Sequence, residues 1–215
     1  MRIVIACAGH QRKWGGHLGV PSHLVPVGGR PLLHRTVGQA LAVTSDVHIT
    51  SPDDDRYRIP GAVRHVRAEA EPSEYASTRA LWSEDGRTVL LLGDVYFTAA
   101  AFATIAKRAE RAYRVFGRYG PSKVTGTPYG EIFAASWWPE HHGLLDRHLD
   151  VVHRTRAAGT VTRPPGWMLL RAWQGTPLGR HRVIRPPFVD VDDLTDDLDT
   201  PDDYRRHPAF GGTRG

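Results

Sequence analysis

Short apolar runs alternate with longer mixed segments along most of the chain. Residues 3–8 are almost unbroken apolar, and residues 88–92 are a second such run. A strand with no polar face suits a sheet covered on both sides, as parallel sheets are. Residues 47–50, 63–66, 113–116, 131–136 and 181–184 read as further strands. Helices are predicted from Pro31 to about residue 41, over 73–83 with Ser73 as cap, over 99–111 and over 139–156. A last helix opens with Thr200 as cap and Pro201 in its first turn. Residues 168–173 fit either strand or helix. The alternation predicts a layered α/β domain over residues 1–208, with 209–215 as a flexible C-terminal tail. No internal repeat or low-complexity segment interrupts it.

Composition narrows this picture. A chain of 215 residues suits one domain with a substantial core. The net charge of +5 favours anionic partners. No basic run with interleaved aromatics supports nucleic-acid binding. No apolar run approaches the ~20 residues that cross a bilayer. Residues 1–5 begin directly as a strand, without the pattern of a signal peptide. Cys7 is the single cysteine, so no intrachain disulfide can form, and a cytoplasmic location is the simplest expectation. Of 28 basic residues, only Lys13, Lys107 and Lys123 are lysines.

Ligands of open α/β sheets bind beyond the carboxyl ends of the strands. Two features are predicted there. The turn after the first strand, Ala8-Gly9-His10-Gln11-Arg12-Lys13, offers backbone N–H groups and positive charge to phosphates. Asp94 follows the buried run Val89-Leu90-Leu91-Leu92-Gly93, and a carboxylate at a strand end is a natural Mg²⁺ ligand. Asp199 supplies a second carboxylate if the chain returns to that edge. The alternatives are a helix cap for Asp94, a solvated acidic run for Asp199 and an exposed loop lysine for Lys13.

Three segments carry a resemblance. Ile3 through Gly9, then Pro21 and Leu24-Val25-Pro26-Val27-Gly28-Gly29-Arg30-Pro31, resemble the N-terminal signature of GT-A-type nucleotidyltransferases. That group includes the sugar-1-phosphate nucleotidyltransferases and the molybdenum cofactor guanylyltransferase-like proteins. Val89 to Asp94 resembles its metal-binding strand, and Asp199-Thr200-Pro201 its C-terminal motif. The resemblance implies a three-layer α/β/α sandwich with a mixed, mostly parallel sheet, and a nucleotidyltransferase activity. Pyrophosphate would leave as a nucleoside triphosphate reacts with a phosphorylated acceptor, first among them a sugar 1-phosphate. It implies Lys13 and Asp94 as catalytic residues, and Ala8, Gly9, His10, Lys13, Ser77 and Thr78 around the nucleotide. Gly130, Glu131 and Lys123 would meet the acceptor. Asp94 and Asp199 would hold Mg²⁺ or Mn²⁺. A homo-oligomer is compatible with it, and no membrane partner is implied.

Two departures stand out. Gln11 replaces the signature's second loop glycine, and Ser22 replaces the lysine that normally follows the proline. His23, His10, Arg12 and Lys123 are the candidates to restore the missing charge. A GT-A-type glycosyltransferase and a non-catalytic nucleotide-binding homologue are the competing readings. Cys7 is read as core packing. The cluster of Glu140, His141, His142, His148 and His153 fits no zinc spacing, and Asp53-Asp54-Asp55 reads as a loop.

Overall fold

The computed structural model describes residues 1–9, 11–67, 72–180 and 186–210. β1 (Arg2–Ala6) leads through a glycine-rich loop to β2 (Pro26–Val27), β3 (Arg30–Pro31) and α1 (Leu32–Leu41). Then come β4 (Val47–Ser51), β5 (Val63–Val66), α2 (Glu74–Thr78), β6 (Thr88–Leu92), β7 (Val95–Tyr96) and α3 (Ala99–Lys107). β8 (Arg114–Arg118), β9 (Glu131–Trp137), α4 (His142–Ala157) and α5 (Pro165–Trp173) follow. β10 (Phe188–Asp190), β11 (Asp196–Asp197) and α6 (Pro201–Arg206) complete the described chain.

Seven strands form one sheet in the order β10-β8-β9-β6-β1-β4-β5. The pairs β1–β4, β1–β6, β4–β5 and β8–β10 are parallel, while β9 runs antiparallel to β6 and β8. The mixed, mostly parallel sheet is therefore present. Because side chains alternate along a strand, β1 feeds two cores. Ile3 and Ile5 pack with Leu33 and Val37 of α1 and with Phe102 and Ile105 of α3. Val4 and Ala6 pack with Leu145 and Leu149 of α4 and with Met168 and Leu169 of α5. Both faces are thus covered by helices, which makes the three layers. A third apolar cluster joins Trp14, Val25 and Leu32 to Leu198 and Phe210 near the other terminus. No described helix is long and apolar enough to cross a membrane.

Several elements differ from the sequence pattern. The helix at 73–83 ends at Thr78 and tightens into a 3₁₀ turn over Arg79–Leu81, after which Trp82 turns extended. The helix from 99 stops at Lys107, where Arg108 leaves helical geometry (ψ 93°). Residues 168–173 are helical, within α5. Pro165 starts that helix, and its apolar side packs against α4. The caps at Ser73 and Thr200 are made, with hydroxyls accepting from Ala76 N and Asp203 N. The strand expected at 181–184 lies outside the described residues. Phe210 is buried, and residues 211–215 lie outside the described residues.

Candidate active site

The carboxyl ends of β1 and β6 are drawn together at Gly93. Its N–H donates to the Ala6 carbonyl at 2.9 Å. A Cβ on Gly93 would lie 2.3 Å from Cys7 Sγ and 2.8 Å from Ala6 O, so only glycine permits the approach. Burial pushes the Cys7 thiol well above its ordinary range, which suits an inert core residue. Asp94 follows directly at the strand mouth. The chain end then returns to it. β11 pairs antiparallel with β7, and Leu198 N donates to Asp94 O at 3.0 Å. Asp199 stands just before the Thr200 cap, where Thr200 and Asp203 form a reciprocal capping box.

The loop after β1 is pinned to this returning segment. Trp14 is buried, donates from Nε1 to Val20 O at 2.7 Å, and meets Tyr204 of α6 edge-on. Anchoring Trp14 against α6 carries its neighbour Lys13 to Asp199, Nζ to Oδ2 2.5 Å.

These residues open onto adjoining cavities. One of about 450 Å³ is lined by Gly9, Arg12, Lys13, Ser22, Asp94 and Asp199, among others. Another, of about 540 Å³, includes Tyr129, Gly130, Glu131 and Trp167 and shares Lys13 and Asp199 with the first. A narrower space between them reaches Glu74, Asp94, Glu131, Asp197 and Asp199. The result is a two-lobed cleft with Asp199 at its junction.

Its electrostatics are dominated by crowded carboxylates. Burial, and then the nearby Asp199, pushes Asp94 up to about 7. The same two causes, opposed by Arg118 and Lys13, push Glu131 up to about 8. Asp197 is raised well above the carboxylate range by burial and then by Glu131. The Lys13 ammonium is held above its usual range, chiefly by its bond to Asp199. Like charges buried together favour the neutral acid unless a cation joins them. Hard oxygen donors of this kind fit Mg²⁺ or Mn²⁺. Among the described residues no three His, Cys, Asp or Glu side chains form a ready-made cage. Mg²⁺ does not need one, since it binds through one or two carboxylates plus water and phosphate oxygens.

The other expected site residues are distributed as follows. Gly9 lines the first lobe, and the Ala8 carbonyl accepts from Arg67 Nη1 at 2.9 Å. His10 lies outside the described residues. Thr78 is fully buried and bonds Tyr75 O, while the Ser77 hydroxyl bonds Glu74 O. α2 turns Glu74 and Tyr75 to the cleft instead. Gly130 lines the second lobe, where a Cβ would lie 2.5 Å from Arg118 O. Lys123 is exposed, pairs with Asp192 at 2.9 Å, and lines none of the three cavities.

The positions that depart from the signature form a neutral knot. Gln11 Oε1 accepts from Ser22 N at 2.8 Å, and its amide nitrogen donates to Ser22 Oγ at 2.6 Å. That nitrogen also lies 3.0 Å from a ring nitrogen of His23, which contacts the Tyr57 hydroxyl. His23 is buried, and burial drives its pKa down to about 3, so the ring is neutral.

Sequence reasoning missed Glu74, Asp197 and one buried lock. Asp196 is fully buried and accepts from Arg118, from Ser122 Oγ at 2.5 Å and from Thr125 Oγ1 at 2.8 Å. It ties the loop between β8 and β9 to β11. The signal available was a run of six aspartates in which one is spaced to pair inward, and that spacing is not readable without the partner strand.

The fold and the converging strand ends define the class: a three-layer α/β/α sandwich with a mixed, mostly parallel sheet and a cleft at its strand ends. No family model matches the sequence, and no curated protein does. Solved structures do. A Bacillus anthracis protein assigned as a glucose-1-phosphate thymidylyltransferase, solved with sucrose, superposes with TM-score 0.67 at 12% identity, covering 100% of this chain and 97% of that one. The Streptococcus pneumoniae CTP:phosphocholine cytidylyltransferase matches with TM-score 0.58 at 12% identity, over 95% and 96% of the two chains. The homologue of Mycobacterium tuberculosis rv0371c from Mycobacterium sp. strain JC1 gives 0.55 at 22% identity, over 96% of each. At these identities the likeness establishes the fold.

Proposed function

We propose that this chain is a nucleotidyltransferase that moves a nucleoside monophosphate from a triphosphate to a phosphorylated small-molecule acceptor, a sugar 1-phosphate first among them. The observation that carries this reading is the meeting of Asp94 and Asp199 beside Lys13, at the junction of a two-lobed cleft. One lobe suits a polyphosphate and the other an acceptor. Backbone groups at Ala8 and Gly9 bind the nucleotide, and Lys13 turns from Asp199 to the triphosphate. Glu131, beside Gly130 and Tyr129, orients the acceptor. A phosphate oxygen of the acceptor bonds to the α-phosphorus as the α–β bridging bond breaks, and pyrophosphate leaves with the electron pair. No covalent enzyme intermediate is required, because positioning and charge stabilisation supply most of the catalysis. Asp94 and Asp199 would hold Mg²⁺ or Mn²⁺, which when bound offsets phosphate charge and aligns the reacting groups. The lone buried thiol fits a reducing cytoplasm.

The test is a screen of nucleoside triphosphates against sugar phosphates with Mg²⁺, reading pyrophosphate. Release that requires both substrates supports the reading. Free nucleoside diphosphate from a nucleotide sugar would point to a glycosyltransferase. Triphosphate binding without turnover across the panel would point to a binding protein.

A further inference from the structure

We propose that Arg12 is a polyphosphate-binding residue of this chain, supplying the charge that its neutral Gln11–Ser22 knot does not. This rests on the nucleotidyltransferase reading and adds a residue to it.

Among the described residues, the first lobe of the cleft is lined by three side chains able to carry positive charge: Arg12, Lys13 and His23. His23 is enclosed, with 3% of its surface exposed, and faces Gln11 and Tyr57. It cannot gain a proton there without stranding a buried charge. Lys13 is paired with Asp199 and leaves a carboxylate behind when it turns to the phosphates. Among the described residues Arg12 forms no hydrogen bond or ion pair, and it is exposed at the lobe's mouth. The position after Pro21 is closed as well, because Ser22 is buried and both its backbone N–H and its hydroxyl are held by Gln11. A triphosphate entering this lobe meets the carboxylates of Asp94, Asp199 and Glu74. It needs a cation beyond Lys13, and a guanidinium suits phosphate because its planar fork makes paired hydrogen bonds. Lys123, the other charged candidate, stands away from the lobe with Asp192 as partner.

The experiment is titration calorimetry of the full chain with each common nucleoside triphosphate and Mg²⁺, and with the matching nucleoside. Wild type, Arg12→Ala, Arg12→Lys and His10→Ala are compared. Arg12 is exposed and unpartnered, so its variants should fold, and melting curves check this. Loss of one charge-assisted contact predicts roughly 10- to 100-fold weaker triphosphate binding for Arg12→Ala. Nucleoside binding should be unchanged, and Arg12→Lys should recover part of the loss. Triphosphate affinity within about twofold of wild type in Arg12→Ala overturns the assignment, as does a loss confined to His10→Ala. A wild type that binds no triphosphate overturns the nucleotide reading itself, and this assignment with it.

Discussion

Lys13 and Asp199, 186 residues apart in sequence, are joined by a 2.5 Å bond between ammonium and carboxylate. The bond closes the two ends of the chain over the mouth of β6, and it exists because Trp14 and Phe210 share one apolar cluster behind it. The pair is largely solvent-exposed, so it adds little to stability. Its value is positional: it keeps a cation and a carboxylate at the junction of the two lobes.

Lys13→Ala should therefore separate stability from activity. Unfolding free energy should change by less than about 1 kcal/mol, as exposed ion pairs do. Pyrophosphate release should fall at least ~100-fold in kcat/KM, and Lys13→Arg should retain much more. Denaturant titration and a coupled pyrophosphate assay check both halves. Turnover in Lys13→Ala within about twofold of wild type would remove this residue from the chemistry.

Asp94→Asn tests the carboxylate cluster. The side chain sits with Asp199 and Glu74 close enough for their charges to raise its pKa. Replacing one of these mutually repelling acids by an amide should leave the metal-free protein as stable as wild type or more so. Turnover should drop by about a thousandfold or more. Millimolar Mg²⁺ should raise the melting temperature of the wild type and leave that of the variant unchanged. An undiminished Mg²⁺ shift in the variant would show that the ion binds elsewhere.

The fold was legible where strands were long and buried on both faces. Residues 3–8 and 88–92 announced β1 and β6, and Thr200-Pro201 announced the start of α6. The two-residue strands β7 and β11 were not legible, because two residues carry no period. Yet their pairing is what carries Asp199 to Asp94. At the site, Asp94 was a candidate because it closes an apolar run at a strand mouth, and Lys13 because it lies in the basic turn after the first strand, where the resemblance places a phosphate-binding arginine. Ser77 and Thr78 were plausible by helix position, but the helix phase turns Glu74 and Tyr75 to the cleft. Asp196 and Asp197 looked like one solvated acidic run. Alternation along β11 sends Asp196 inward to Arg118, while Asp197 borders the cleft.

Asp196→Ala should be among the most damaging changes outside the reacting groups. The carboxylate is fully buried beneath Arg118, Ser122 and Thr125. Removing it strands the Arg118 guanidinium, which costs roughly 3–5 kcal/mol. Asp196→Asn keeps some of the hydrogen bonds and should fold. It loosens the loop that ends in Gly130 and Glu131, so KM for the acceptor should rise several-fold while KM for the triphosphate moves little. Equal changes in the two KM values would show that the lock does not serve the acceptor lobe.

Acid stability should report on His23. Its folded pKa is driven down to about 3 by burial, below the ordinary 6.5 expected in the unfolded chain. As pH falls below the unfolded value, the unfolded chain takes up a proton that the folded chain refuses. Stability from this residue is therefore complete above about pH 6.5 and is lost progressively toward pH 3. By about pH 5 the loss is on the order of 2 kcal/mol, since each pH unit in that interval contributes about 1.4 kcal/mol. The carboxylates Asp94 and Glu131 pull the other way, because their raised pKa values make protonation favour the folded state as pH falls. The wild-type curve alone mixes the two effects. Subtracting the profile of His23→Gln isolates the histidine: between about pH 7 and 5 the wild type should lose more stability than the variant, by the amount given above. Parallel profiles, measured by denaturant unfolding at each pH, would mean that the ring is protonated or solvated in the folded protein.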